Sequence, residues 1–383
     1  MKIGVACDSF KGTFSSAEVA DYIEKVAIHY FEEIDVVKIP IADGGEGTVD
    51  TLLHFLEGET VYQNVRNPLG QIVTAKYAYF QNEKTAIIEM AQASGLSTIE
   101  REKRNPLKTT SFGTGQLINN ALEKGAQKII LGLGGSATND GGLGAVAALG
   151  GKFFDKTSNE LTSYCGEMLN KVTKISMENI NPKMFDCRII LMCDVDNLLL
   201  GKHGATYVFG PQKGAKVDEL NYLEEGMKKY SKVLERHANL KVSAIEGSGA
   251  AGGLAAAMLA LFECEVKSGI NTSLDLINFE EQIKGCKFVI TGEGKMDSQT
   301  FGGKVPYGVA KRCKEMKVPV IGFVGALEMC SERKAFPEEI YTVFPLVSDF
   351  VDFETIQNNS EKFLLDSLHR MFRLIKVGQN LKN

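Results

Sequence analysis

The chain has 383 residues, of which 44% are hydrophobic and 24% charged, with a formal net charge of -5. With 21 Phe and 11 Tyr it can bury a sizeable core, which excludes a disordered chain. Its 39 Gly exceed the usual share of ~7%, yet they follow no three-residue period and accompany only 9 Pro, which excludes collagen-like and low-complexity chains.

The length suggests two domains. The mildly acidic balance offers no electrostatic footprint for nucleic acid or an anionic membrane surface. The opening MKIGVACDSF lacks the apolar stretch of a signal peptide, and the most apolar segment, 254–262, is too short to cross a bilayer. The eight Cys never come closer than six residues apart, so no zinc or redox pair is spelled out. A reduced, cytoplasmic, soluble protein is the expectation.

Along the chain, strand-like runs alternate with helical patterns, the signature of an α/β fold with largely parallel sheets. Residues 3–7 read as a first strand. Residues 15–31 follow as an amphipathic helix opened by a cap of Ser15 or Ser16 with Glu18. A second strand spans 36–41 and runs into DGGEG. Alternating residues at 61–65 and 72–80, joined by Asn67-Pro68-Leu69-Gly70, read as a hairpin and place a domain change near residue 60. Later strands are expected at 129–133, 188–193, 288–291, 318–324 and 341–344, and helices at 217–238 and 353–376. The last strands repeat the rhythm of the first sixty residues. One discontinuous domain, 1–60 plus 286–383, is therefore expected, with 61–285 inserted as a second α/β domain.

Twenty-four of the 39 glycines fall in six segments: 43–47, 111–115, 132–144, 201–214, 247–253 and 291–308. Such density lets backbone turn tightly and approach a ligand. The segment GLGGSATNDGGLG, 132–144, follows a strand and precedes a helical run, an arrangement suited to anions. Within it Ser136 and Thr138 add hydroxyls, and Asp140 is either a helix cap or a metal ligand. Two stretches match the dinucleotide fingerprint: Gly132, Gly134 and Ala137, with Asp155 beyond, and Gly247, Gly249 and Gly252. A single Rossmann domain has room for one. Gly-Lys is never followed by Ser or Thr, so no Walker loop is present.

Cations and carboxylates accompany these glycines: Lys11, Arg66, Lys213, Lys295 and Lys304, and Asp8, Asp43, Glu46, Asp194, Glu293 and Asp297. Asp8, Asp43, Asp194 and Glu293 each follow a strand, where parallel sheets bind ligands. These are the parts phosphoryl transfer needs: cations for phosphates, carboxylates for magnesium and a base for the acceptor hydroxyl. The five His are scattered, only His203 lies in a glycine segment, and no GxSxG elbow occurs. Phe363, Leu364, Leu368, Met371, Phe372 and Ile375 form a helical stripe that reads as core-docking.

Taken together, DSFKGTFSSAEVA, PIADGGEGTVDTL, SFGTGQLI, GLGGSATNDGG, CDVDN with GPQKGA, GSGAAGG and TGEGKMDSQTFGGKVP resemble, in order, the type I glycerate kinase family, from residue 3 to about 325. The chain departs from the family pattern at Cys7, where Pro is common, and at Asn197-Leu198, where Asn-Pro is common. The resemblance implies two α/β domains with the active site in a cleft between them. It implies ATP-dependent phosphorylation of D-glycerate with Mg2+, giving phosphoglycerate, with 2-phosphoglycerate favoured. On this basis Gly134, Gly135, Ser136, Thr138, Gly249 and Gly252 are expected at ATP, and Asp194 and Asp297 at magnesium. Arg66, Lys11 and Ser111 are expected to bind glycerate. Lys213 and Lys304 would stabilise the transferred group, and Asp43, or else Asp8, would take the proton. A monomer or homodimer without nucleic-acid or membrane partners is expected. The rival readings are an NAD(P)-dependent oxidoreductase acting on a small hydroxy acid and a non-catalytic sensor of such an acid.

Overall fold

A computed structural model describes residues 1–10, 13–41, 44–45, 47–297, 300, 304–328, 337–346 and 353–381. Its strands are β1 (Lys2–Cys7), β2 (Asp35–Lys38), β3 (Glu59–Arg66), β4 (Ile72–Phe80), β5 (Thr85–Glu89), β6 (Lys128–Gly132), β7 (Lys152–Phe154), β8 (Lys174–Ser176), β9 (Arg188–Met192), β10 (Cys264–Lys267), β11 (Val289–Met296), β12 (Val320–Leu327) and β13 (Thr342–Pro345). The fold is mixed α/β, with largely parallel sheets. Two compact units are present, 1–42 with 270–383, and 43–269.

The first unit is built on the sheet β13-β12-β11-β1-β2, in which every pairing is parallel. Strand β1 is apolar on both faces, with Ile3, Val5 and Cys7 buried on one and Gly4 and Ala6 buried on the other, as a doubly covered parallel strand must be. Helix Ser16–Tyr30 packs on it through Val19, Ile23 and Ala27. Its start is the capping box read from the sequence. Glu18 N–H donates to Ser15 Oγ at 3.2 Å, and Ser15 N–H donates to Glu18 at 2.8 Å. The apolar stripe near the C-terminus docks into this core through Leu364, Leu368, Met371 and Phe372. One long helix over 353–376 is replaced by two, Phe353–Asn358 and Ser360–Asn380, with the break at Asn359.

The second unit carries the sheet β10-β9-β6-β5-β4-β3, parallel from β10 to β5 and antiparallel from β5 to β3. The expected hairpin is β3 and β4, whose turn is closed by Gly70 N–H donating to Asn67 O at 2.9 Å. The short helix Thr48–Phe55 packs on β4 and β5 and so goes with this sheet. Helix Val217–Ala238 spans the expected range and buries Leu220, Leu223, Met227 and Tyr230. Strands β7 and β8 pair with each other, apart from the main sheet. Among the described residues, no helix is long and apolar enough to cross a membrane.

Candidate active site

The loop after β6 is the best-defined feature of the second unit. Gly132 ends the strand, and ten residues pass before helix Leu143–Ala148 begins. An antiparallel bridge pins the loop's middle: Leu96 N–H donates to Gly135 O at 2.9 Å and Ala137 N–H to Ser94 O at 2.9 Å. Gly135 is exposed at φ +72°, a left-handed turn that suits glycine. The N–H groups of Gly135 and Ser136 donate to no protein acceptor among the described residues. Free N–H groups on an exposed glycine turn are an anion cradle.

Beneath the turn, charge holds the backbone. Asp140 is buried and accepts from Ser111 N–H at 2.7 Å, Ser111 Oγ at 2.8 Å, Gly142 N–H at 3.1 Å and Gly144 N–H at 3.2 Å. It therefore caps the start of the helix, which decides between the two roles the sequence left open. Burial pushes its pKa up, and the four donors only partly oppose that. Ser111 has its hydroxyl occupied on both sides, donating to Asp140 and accepting from Ala145 N–H at 3.0 Å, and is itself buried. Lys213 is 1% exposed; its Nζ donates to Ser136 Oγ at 2.9 Å and Thr138 O at 2.7 Å. Burial pulls its pKa down to about 7, against the opposing charge of Asp140. Thr138 lies fully buried, with its hydroxyl lacking a hydrogen-bond partner.

Other glycine segments of the second unit pack around this loop, and mostly they meet protein rather than open space. A Cβ on Gly132 would lie 2.3 Å from Gly44 O, and one on Gly134 would lie 2.7 Å from Gly45 Cα. Gly252, buried, would strike Thr138 O at 2.1 Å, and Gly249, also buried, Leu198 O at 2.4 Å. Gly113 would strike Arg66 O at 2.0 Å. These glycines let backbone pack on backbone. Neither dinucleotide fingerprint has its required setting, a strand turning at once into a helix. The first loop runs ten residues before its helix, and the second follows the short 3-10 turn Val242–Ala244 instead of a strand. Asp155 is half-buried, and its carboxylate accepts from Thr157 and Asn159.

Carboxylates sit at strand ends in both units. In the second, Asp194 beyond β9 accepts from Ser268 Oγ at 2.9 Å and Gly269 N–H at 2.8 Å, just past β10. In the first, Asp8 beyond β1 accepts from Ser9 N–H at 2.7 Å while its own N–H donates to Gly292 O at 2.8 Å. Near the end of β11, Lys304 Nζ approaches Asp297 at 3.5 Å and Glu293 at 3.7 Å, and Thr300 Oγ1 donates to Glu293 at 2.5 Å. Burial raises the pKa of Glu293, with Thr300 and Lys304 opposing. Lys304 is also the residue before helix Val305–Glu315. Arg66 ends β3, exposed, with its guanidinium 5.2 Å from the centre of the Phe112 ring. Lys11, Asp43 and Glu46 lie outside the described residues. Among the described residues no three His, Cys, Asp or Glu side chains form a ready metal group. Magnesium does not require one, since it is often held by one or two carboxylates together with substrate phosphates and water.

Glu89 was not singled out by the sequence. It ends β5, is buried, and accepts from Gly47 N–H at 3.2 Å and Val49 N–H at 2.6 Å. The available signal was TAIIE, an apolar run closed by a carboxylate, the same pattern that marked Asp8 and Asp194.

Fold and loop together define a mixed α/β protein with an exposed glycine turn beyond the end of a parallel strand, two of whose N–H groups have no protein acceptor among the described residues. The glycerate kinase family model matches residues 3–376. A glycerate 2-kinase of Escherichia coli K12 is 46% identical over 327 residues, covering 85% of this chain and 86% of that one. A glycerate kinase of Bacillus subtilis 168 is 39% identical over 381 residues, covering 100% and 99%. A crystal structure from Salmonella typhimurium LT2, described as a glycerate kinase 2, superposes with a TM-score of 0.84 at 38% identity, covering 99% of each chain. The chain belongs to the glycerate kinase family and is an enzyme.

Proposed function

We propose that this chain transfers the γ-phosphoryl group of ATP to the 2-hydroxyl of D-glycerate, releasing ADP and 2-phosphoglycerate. The observation that carries the reading is the open Gly135 and Ser136 amide pair above a lysine buried in the protein. Phosphoryl transfer is mostly positioning and charge stabilisation, and a rigid row of N–H donors serves both. The loop would take the phosphates through Gly135 and Ser136, while Gly134, whose N–H is given to Gly44 O at 3.4 Å, would hold the turn in place beside them. Lys213 would act through Ser136 and Thr138, fixing the turn while adding positive potential beneath it. Gly249, Gly252 and Ser111 would support the loop from behind. The 2-hydroxyl is preferred because one relative is a glycerate 2-kinase.

Lys304, with its partners at 3.5 and 3.7 Å, is loosely held and suited to follow a moving phosphate. Arg66 presents a planar fork that matches the glycerate carboxylate. Asp43, or else Asp8, would accept the proton of the attacking hydroxyl. Asp194 and Asp297 would hold magnesium, which offsets phosphate charge. Cytoplasmic location fits an ATP-consuming enzyme with free cysteines buried or half-buried among the described residues. The NAD(P)-dependent alternative is not taken further, since neither fingerprint has its structural setting.

Phosphorus NMR of the product from Mg-ATP and D-glycerate tests the proposal. A 2-phosphoglycerate signal is expected. A 3-phosphoglycerate signal overturns the position, and ADP without any phosphoglycerate overturns the substrate.

A further inference from the structure

We propose that Glu89 is a positioning residue for the reaction: its carboxylate sets the backbone of Gly44, Gly47 and Val49 against the 132–135 loop. The inference rests on the reading above, in which Asp43, the residue before Gly44 in sequence, or else Asp8, takes the proton. The geometry has three parts. Helix Thr48–Phe55 starts at Gly47, which has no side chain to cap it. Its first N–H groups are instead met from a strand distant in sequence, Gly47 by Glu89 Oε2 at 3.2 Å and Val49 by Oε1 at 2.6 Å. Gln92 Nε2 adds a third donor at 3.3 Å.

Second, Glu89 stands opposite Gly132 in the β5–β6 pairing, so the same residue is fixed to the start of the glycine loop. Third, the two segments touch without side chains between them: Gly134 N–H donates to Gly44 O at 3.4 Å, where Gly132 also packs. Thr48 closes the near side of the turn, its Oγ1 accepting from Gly44 N–H at 3.1 Å and donating to Gly45 O at 2.8 Å. A buried carboxylate is costly unless its oxygens are satisfied, and the helix N-terminus favours negative charge there. Its three donors satisfy Glu89 wholly within the protein. It touches no substrate and acts through the turn.

The test is Glu89→Gln, which keeps the volume but places an NH2 group against one of the two N–H donors. The variant is expected to lower kcat, per folded molecule, at least ~10-fold, with the KM for ATP changed less than threefold. Glu89→Asp, which keeps the charge, is expected to recover part of that loss. Amide exchange supplies a readout independent of turnover: protection of Gly47 and Val49 should fall about tenfold or more in Glu89→Gln, with the β1 and β11 amides unchanged. Should Glu89→Gln not fold, Thr48→Ala loosens the same turn and should show the same kcat loss. A kcat within twofold of the parent, or a loss matched by the fraction unfolded, overturns the inference, as does unchanged exchange at Gly47 and Val49. If the parent itself makes no phosphoglycerate, the reading of function fails, and the exchange result alone decides whether Glu89 holds the turn.

Discussion

The two units spend their charged side chains in opposite ways. Under the glycine loop of the second unit, Asp140 and Lys213 are buried, and their bonds run from 2.7 to 3.2 Å, all to neighbouring backbone or hydroxyls. In the first unit, the Lys304 side chain is 33% exposed and stands 3.5 and 3.7 Å from its two carboxylates. The buried set holds a shape; the open set keeps its charge available to something that arrives. A charge near a ligand site is thus no guide to its role until its own partners are counted.

Three experiments would break or sharpen this contrast. The largest effect is expected for Asp140→Ala, which strands four buried donors and should lower stability by about 3–5 kcal/mol, read as a shift in denaturant midpoint. Midpoints within 1 kcal/mol of each other would refute the structural role. Next comes Lys304→Met, for which turnover should fall ~10²-fold, about 3 kcal/mol, while melting barely moves. If melting drops as turnover does, the first unit's charges are no different from the second's.

The smallest concerns the pH response of Lys213. Its pKa is about 7 folded and 10.5 unfolded, so between these values the unfolded chain binds more protons. Stability should then rise with pH across that window, on the order of 1–3 kcal/mol, and the rise should vanish in Lys213→Met. An equal rise in both proteins would show that the ammonium is not the titrating group.

Much of the fold was legible because its signals are local. The Ser15–Glu18 cap, the Asn67–Gly70 turn and the helix over 217–238 follow from spacing within a few residues. Strand β5 escaped notice because all five of its residues are buried, so TAIIE carries no alternation to announce it. With it went Glu89, whose backbone partners Gly47 and Val49 lie some forty positions away. Asp155 was noticed as the acid beyond the first fingerprint, but it follows β7, which pairs with β8 apart from the main sheet, and its carboxylate accepts from Thr157 and Asn159. The glycine excess was visible, but composition does not distinguish a glycine that faces a ligand from one that faces another main chain. Gly135, exposed at φ +72°, is the one proposed for the first kind, and Gly132, Gly249 and Gly252 are of the second.

That second kind has a consequence for how the enzyme is made. Gly44 lies on Gly132, Gly252 on Thr138 and Gly113 on Arg66, joining parts of the chain that are synthesised far apart. No partial assembly of the second unit can present the finished turn, so nucleotide affinity should appear only in the last step of folding, after the slow non-local contacts close. Nucleotide would then draw the population towards the native state without speeding the search for it. In a refolding mixture it should raise the final yield and leave the rate alone.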